Sequence, residues 1–387
     1  MRIVTVLTSL GVGGAEKQAL VVAERMARRG HEVALLALMP HLPQEWPTTL
    51  PVFHLDIRKL NPVSVGSGFR RGRRFLRDFQ PDVVHSHSFH ANLLARLLQI
   101  GAPRSVVVST VHNVYEGGWM RMLAYRLTDG WSQRTVAVSQ AAADRFIRLK
   151  AIPKQKCLVR TNGIDTREFA PDAARRTATR AAMRAASSFV WLSAGRITPA
   201  KDFPNLLRAF QQARKDAPDA ELWIAGAQVD AQAVASANGK MSHSIGIVGE
   251  PGMREHVRWL GLRRDMPALL DAADGFVLGS AWEGMPLVVG EAMAMEKPVV
   301  ATDVGGVCEL VGDAGTTVPA KDAEALAQAM QAVVRRSREE RALLGAAARE
   351  RIVGQFSMDA AADWWEALYK QEVEKQGLER QGVVSRE

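Results

Sequence analysis

Cysteine is close to absent, with only Cys157 and Cys308 in 387 residues. Their separation matches no metal-binding or redox spacing, which removes disulfide scaffolds and zinc modules and suits a reducing compartment. Long apolar runs are missing too: no stretch of about eighteen apolar residues reads as a membrane-spanning helix. The opening Met1-Arg2-Ile3-Val4-Thr5-Val6-Leu7 has one basic residue and leads into Gly13-Gly14-Ala15-Glu16-Lys17 without a cleavage site. It reads as a first strand and not as a secretory signal. No G-x-G-x-x-G fingerprint follows that strand, which disfavours a nicotinamide- or flavin-dependent oxidoreductase. Zinc-ligand spacings, an aromatic RNA-binding signature and a basic heptad region are lacking as well. The net charge of +9 therefore points to anionic lipid or a phosphorylated substrate ahead of nucleic acid.

What is present describes a globular α/β chain, with 47% hydrophobic residues and room for about two to three domains. Ile3 to Leu7 predicts a strand, Ala15 to Arg29 a helix with apolar residues at helical spacing, and Glu32 to Leu38 a second strand. The turn between the first strand and its helix, Gly11-Val12-Gly13-Gly14, lies where doubly wound folds bring backbone close to a phosphate. Further strands are predicted at Asp82 to His87, Val106 to Val111, Thr135 to Ser139 and Lys156 to Arg160. Polar residues follow several of them, among them His85, His87, His112, Asn113 and Ser139, at the strand ends where open α/β sheets bind ligands. A second strand–helix series starts at Phe189 and runs through Glu221 to Ala225, Val257 to Leu260, Gly275 to Gly279 and Val299 to Ala301. Two Rossmann-like domains facing each other across a cleft is the direct inference.

Two surface features stand apart. Arg58 to Arg77 holds seven basic residues and no acidic one, with Phe69, Phe75 and Leu76 interleaved. Such a segment suits an anionic bilayer or a solvated helix face. Trp119 to Leu127 is amphipathic and rich in large apolar residues, fitting either the sheet or a lipid contact.

The densest chemistry lies in Ser280 to Val300, where Glu283 and Glu291 flank Gly284-Met285-Pro286-Leu287. Pro286 predicts the first turn of a helix from Leu287 to Met295, putting Glu283 on the loop and Glu291 about two turns along. Free amides between the two carboxylates suit a sugar nucleotide: acceptors for hydroxyls, donors for phosphate oxygens. Two glutamates at that spacing are by themselves weak evidence. Arg196 and Lys201, after the first strand of the second series, add cations placed to neutralise a diphosphate.

These pieces occur together and in order: Gly13-Gly14-Ala15-Glu16, the Asp82 to His87 strand end, Asn162-Gly163-Ile164-Asp165, and Gly195-Arg196 with Lys201. Leu260-Gly261, Ala273-Asp274, Glu283 to Leu287, Glu291 to Ala294, Pro298 to Thr302, and Gly305-Gly306 with Glu309 complete the run. The set resembles a retaining glycosyltransferase of family 4, group 1, with the GT-B fold. It covers nearly the whole chain and is densest from Val257 to Val318.

The resemblance implies an acceptor-binding domain over 1–170, a connection over 171–188 and a nucleotide-sugar-binding domain over 189–356. A helix over 357–370 would cross back to the first domain, and the charged stretch 371–387 reads as a disordered tail. Donor contacts would come from Gly13, Gly14, Arg196, Lys201, Glu283, Gly284, Met285, Pro286, Leu287 and Glu291. Glu283, His112, Arg196 and Lys201 would be catalytic, with His112 touching the donor sugar and the two cations balancing the leaving diphosphate. His85, His87, Asn113 and Ser139 would meet the acceptor. No metal and no cofactor is called for. The implied reaction moves a hexose or N-acetylhexosamine from a UDP-sugar to a lipid-linked or lipopolysaccharide-type glycan, at the cytoplasmic face of an inner membrane, by a monomer or weak dimer. A GT-B sugar-nucleotide epimerase and a non-catalytic sugar-nucleotide-binding protein are the rival readings. The chain departs from the family pattern at Gly226 to Asp230, through the Ser/Gly/Ala-rich Ala231 to Met253, and at Gly279 and Glu296.

Overall fold

The computed structural model describes residues 1–11, 13–41, 46–58, 61–100, 105–185, 187–226 and 253–381. Val12, Lys59 and the departing loop after Gly226, up to residue 252, lie outside the described residues. The chain divides into two compact units, Met1–Gly163 with Met358–Glu387, and Ile164–Ser357.

The first unit carries seven strands: β1 (Arg2–Leu7), β2 (Glu32–Ala37), β3 (Val52–His54), β4 (Val83–His87), β5 (Val106–Val111), β6 (Arg134–Ala137) and β7 (Cys157–Val159). All pair in parallel, in the order β3-β2-β1-β4-β5-β6-β7. β4 and β5 are buried along their whole length, as expected where helices cover both faces of a parallel sheet. Alternation sorts their side chains. Val4, Val6, Val84 and Val107 pack with the Pro62–Phe79 and Phe89–Leu98 helices. Ile3, Val83, Val106 and Val108 pack under the Gly14–Arg28 helix and the last helix, Met358–Arg380.

That last helix buries Met358, Ala361, Ala362, Trp365, Leu368 and Tyr369 in the first unit's core. It approaches so closely at Gly163 that a Cβ there would lie 2.8 Å from the Ala361 methyl and from the Met358 backbone. Charge pairs line the seam, Arg25 to Asp359 at 2.6 Å and Arg29 to Asp363 and Glu366 at 2.6 and 2.8 Å. The helix continues to Arg380, past the point where composition suggested a disordered tail. The reason is local: Glu372 is 4% exposed and pairs with Arg134 at 2.7 Å, and Val373 packs against the same core.

The second unit carries β8 (Val190–Ala194), β9 (Glu221–Ala225), β10 (Val257–Gly261), β11 (Gly275–Leu278), β12 (Val299–Thr302) and β13 (Thr316–Val318). They form a parallel sheet in the order β10-β9-β8-β11-β12-β13, the doubly wound arrangement of dinucleotide-type folds. This unit begins at Ile164, whose amide donates to the Phe356 carbonyl at 2.8 Å.

The expected connection over 171–188 belongs to this second unit. Its Ala173–Ala182 helix aims Arg176 and Arg180 at the carbonyls that end the Met266–Ala272 helix, where cations meet the negative end of the helix dipole. The same arginines pair with Asp274 at 2.5 and 3.0 Å, and Asp274 also accepts the first amide of β8. Arg175 pairs with the buried Asp271. An Ala/Arg-rich composition that reads as an interdomain connection thus becomes a clamp on a helix end and on the Asp274 that holds the start of β8.

Candidate functional site

In each sheet the strand order reverses at one place, between β1 and β4 in the first unit and between β8 and β11 in the second. Loops leaving the carboxyl ends of those strands diverge there and open a crevice. Lys201 lies on the loop after β8 and Glu283 on the loop after β11. They meet at 2.6 Å from Nζ to Oε1, with side chains 17% and 12% exposed. The Ser280 hydroxyl donates to the same carboxylate oxygen at 2.6 Å. Ser280 itself is fully buried, and its carbonyl accepts from the Thr302 hydroxyl at 2.7 Å. Main-chain bonds fasten the loops to each other, from the Ala281 amide to the Ala200 carbonyl at 2.8 Å and from Gly306 to Gly284 at 2.7 Å.

Two glycines make this closeness possible. Gly195 leaves room for the Lys201 stem, whose Cε would lie 2.7 Å from an added Cβ. Gly305 has φ +59° and would place a Cβ 2.2 Å from the Glu283 carbonyl oxygen. Arg196, on the same loop as Lys201, is exposed.

Pro286 immediately precedes the Leu287–Ala294 helix, one position before the first turn predicted for it. Met285, Leu287 and Glu291 are buried, Glu291 at 5% exposure. The helix's first amides lack intrahelical acceptors by construction, so they face whatever occupies the loop between Glu283 and Pro286.

In the first unit, Gly13 caps the Gly14–Arg28 helix in an extended conformation. It is needed for space: the Glu16 carboxylate lies against it, with Oε2 2.2 Å from where a Cβ would be.

The histidines divide by role. His85 is 1% exposed, and its two ring nitrogens bond to the Thr110 hydroxyl at 2.7 Å and the Tyr369 hydroxyl at 2.6 Å. Burial pushes it down to about 3, so it is a neutral tie between the sheet and the last helix. His87 bonds through Nδ1 to His112 Nε2 at 2.9 Å. Ser139, fully buried, caps the Gln140–Arg148 helix by accepting from the Ala142 amide. Asn113 accepts from the Tyr115 amide at 3.2 Å in a tight turn. Of the four expected acceptor contacts, His85 and Ser139 are thus committed to the fold.

Two neighbours of His112 escaped sequence reading. The Glu116 carboxylate accepts from the His112 amide at 3.1 Å and from the Tyr125 hydroxyl at 2.7 Å. Burial pushes Glu116 up to about 7. A lone glutamate in a loop carries no motif, and Tyr125 reads as an ordinary helix residue; the turn between β5 and the Trp119–Thr128 helix folds Glu116 back onto His112 and Tyr125.

Residues 12–168 match the description Glycosyltransferase Family 4, and residues 188–336 match Glycosyl transferases group 1. The chain belongs to glycosyltransferase family 4. Among family members it is similar to the UDP-Gal:alpha-D-GlcNAc-diphosphoundecaprenol alpha-1,3-galactosyltransferase of Escherichia coli, 26% identical over 60% of this chain and 60% of that enzyme's length. The alpha-maltose-1-phosphate synthase of Mycolicibacterium smegmatis is 29% identical over 74% of this chain and 78% of its own. The GT-B fold is shared with Anabaena HepE in complex with UDP and glucose, at TM-score 0.83 and 20% identity, over 96% of this chain and 99% of that one. No helix among the described residues is long and apolar enough to cross a membrane.

Proposed function

We propose that this family 4 enzyme moves a hexose or N-acetylhexosamine, with retention, from a UDP-sugar to a lipid-linked or lipopolysaccharide-type surface glycan. The observation that carries the reading is the Lys201–Glu283 pair, 2.6 Å apart where the second sheet's strand order reverses. Lys201 and Arg196 balance the diphosphate as the bond to the anomeric carbon breaks. Lys201 and Ser280 both bond to Glu283 Oε1, leaving Oε2 to accept from a sugar hydroxyl. The amides from Gly284 to Leu287 hold phosphate and sugar oxygens, and Glu291 accepts from the ribose. The acceptor oxygen attacks on the face the diphosphate leaves, and the departing phosphate oxygen takes the acceptor's proton. No enzyme carboxylate then needs to become a covalent nucleophile, in contrast to retaining hydrolases. UDP as carrier is supported by the donor in the galactosyltransferase's name and by the ligand of HepE.

A panel of UDP, GDP, ADP and their sugar conjugates tests the donor site by thermal shift. Ligands that bind only the folded chain raise its apparent stability by about 2.7 kcal/mol at a hundred times Kd. UDP and its conjugates should stabilise the protein, and Lys201→Ala and Glu291→Ala should abolish the shift. A response to none of the nucleotides, or variants that respond like the native chain, would reject the assignment.

The lipid side of the proposal, a dock at the cytoplasmic face of an inner membrane, rests on the first unit. On the Trp119–Thr128 helix Trp119 is 74% exposed, Met120 69% and Leu127 69%. The Pro62–Phe79 helix, capped by Asn61, carries Arg70, Arg73, Arg74 and Arg77, although Asp78 lies 3.6 Å from Arg74 and Arg71 also bonds the Leu55 carbonyl. Each basic residue near an anionic bilayer contributes about 1 kcal/mol. Replacing Arg70, Arg71, Arg73 and Arg74 by Ser should weaken flotation with anionic liposomes by at least about tenfold. Undiminished flotation sinks the docking idea.

A further inference from the structure

Three imidazoles stand in line at the end of β4 and β5, and the middle one has no role in the scheme above. His85 and His87 lie on the same face of β4, with ring centroids 4.0 Å apart, and the His112 ring lies 5.2 Å beyond His87. His85 is immobilised between Thr110, Tyr369 and the Trp365 ring, whose centroid is 4.4 Å away. His87 is 2% exposed and is hemmed in by it. Its Nδ1 meets His112 Nε2 at 2.9 Å, while its Nε2 is buried without a hydrogen-bond partner.

We infer that His87 is a positioning residue that fixes the ring and tautomer of His112, so that His112 carries its proton on Nδ1 and offers that N–H to an oxygen of the substrate. Burial lowers all three imidazoles below their ordinary range, so the line is neutral. Each ring then holds one proton, and two arrangements satisfy the 2.9 Å contact. In the first, His87 Nδ1–H donates to His112 Nε2, leaving His112 protonated at Nδ1. In the second, His112 donates, and His87 is left with an N–H at its buried Nε2. Folded interiors leave a buried N–H unpaired less readily than an acceptor, which selects the first. The backbone of His112 is held as well, through its amide to Glu116. A free imidazole would turn and exchange tautomers; this one has a single arrangement before any ligand arrives.

That His112 meets a substrate rests on the proposed function, whereas the tautomer does not. The full-length chain, labelled with 15N-histidine, is examined by long-range 1H–15N correlation alongside UDP release from UDP-glucose. Expected is a protonated Nδ1 and a bare Nε2 at His112. His87→Leu should remove that preference and lower kcat about tenfold, the worth of one such hydrogen bond. The donor KM should stay within about threefold, since the effect lies in orientation. His87→Asn, whose amide nitrogen can stand in for Nδ1, should restore both readouts. A His112 protonated at Nε2 in the native chain overturns the inference, and so does a His87→Leu variant with unchanged His112 signals and kcat. If His87→Leu does not fold, the native spectrum and His87→Asn decide. Failure of the native chain to bind any nucleotide sugar would reject the proposed function and leave the tautomer assignment standing.

Discussion

Lys201→Ala is expected to lower kcat for UDP release from UDP-glucose by on the order of 10²- to 10³-fold, the usual cost of removing one preorganised group that stabilises developing charge. The ammonium is held at 2.6 Å from Glu283 with little exposure on either side chain. It is therefore placed before substrate binds, and reorganises little when the diphosphate departs. Glu283→Gln should be costly for a different reason. It keeps shape and volume but removes the negative charge opposite Lys201, so the amine is no longer held in place. Ser280 can still donate to the amide oxygen, which separates the charge contribution from the hydrogen bond. Lys201→Arg should recover only part of the rate, because a planar fork does not replace a compact point charge in a space bounded by Gly195. Steady-state kinetics with the folded fraction measured alongside checks all three. A Lys201→Ala enzyme within about threefold of native kcat would remove this pair from the reaction.

Most of the strands were legible because parallel strands buried on both faces read as short continuous apolar runs, as Val83-Val84 and Val106 to Val108 do. The glycine turn, Lys201 and the Glu283–Glu291 unit were legible as local patterns. Strand order was not, because it depends on pairings remote in sequence, such as β8 with β11. That order is what brings Lys201 to Glu283. Composition misled where charge turned out to be paired. Arg176 and Arg180 read as linker residues until Asp274 and three helix-terminal carbonyls engaged them. Glu372 read as tail until Arg134 met it. Polar residues at strand ends misled in the opposite direction: His85 and Ser139 stand where ligands bind in such folds, yet their hydrogen bonds go to the protein itself.

Gly305→Ala should be the most damaging substitution that removes no functional group. Two costs add. The backbone sits at φ +59°, where a side chain costs about 1–2 kcal/mol. The new methyl carbon would also lie 2.2 Å from the Glu283 carbonyl oxygen and 2.9 Å from that of Gly284. Those are backbone atoms, so relief requires the Glu283–Gly284 segment to move, and with it the carboxylate that faces Lys201. Gly30→Ala supplies the comparison: φ is +85°, and nothing lies within 4 Å of the added carbon. It carries the backbone cost without the collision, and it lies far along the chain from the second unit. Urea unfolding should show both variants destabilised, Gly305→Ala by the larger amount. Activity should part them more sharply. Gly30→Ala should retain nearly native kcat per folded molecule, while Gly305→Ala should lose at least about tenfold, because a displacement near 1 Å at reacting groups can cost about a hundredfold. Equal stability losses, with kcat per folded molecule unchanged in both, would mean the Glu283 loop tolerates the methyl group and that its position is not what the reaction depends on.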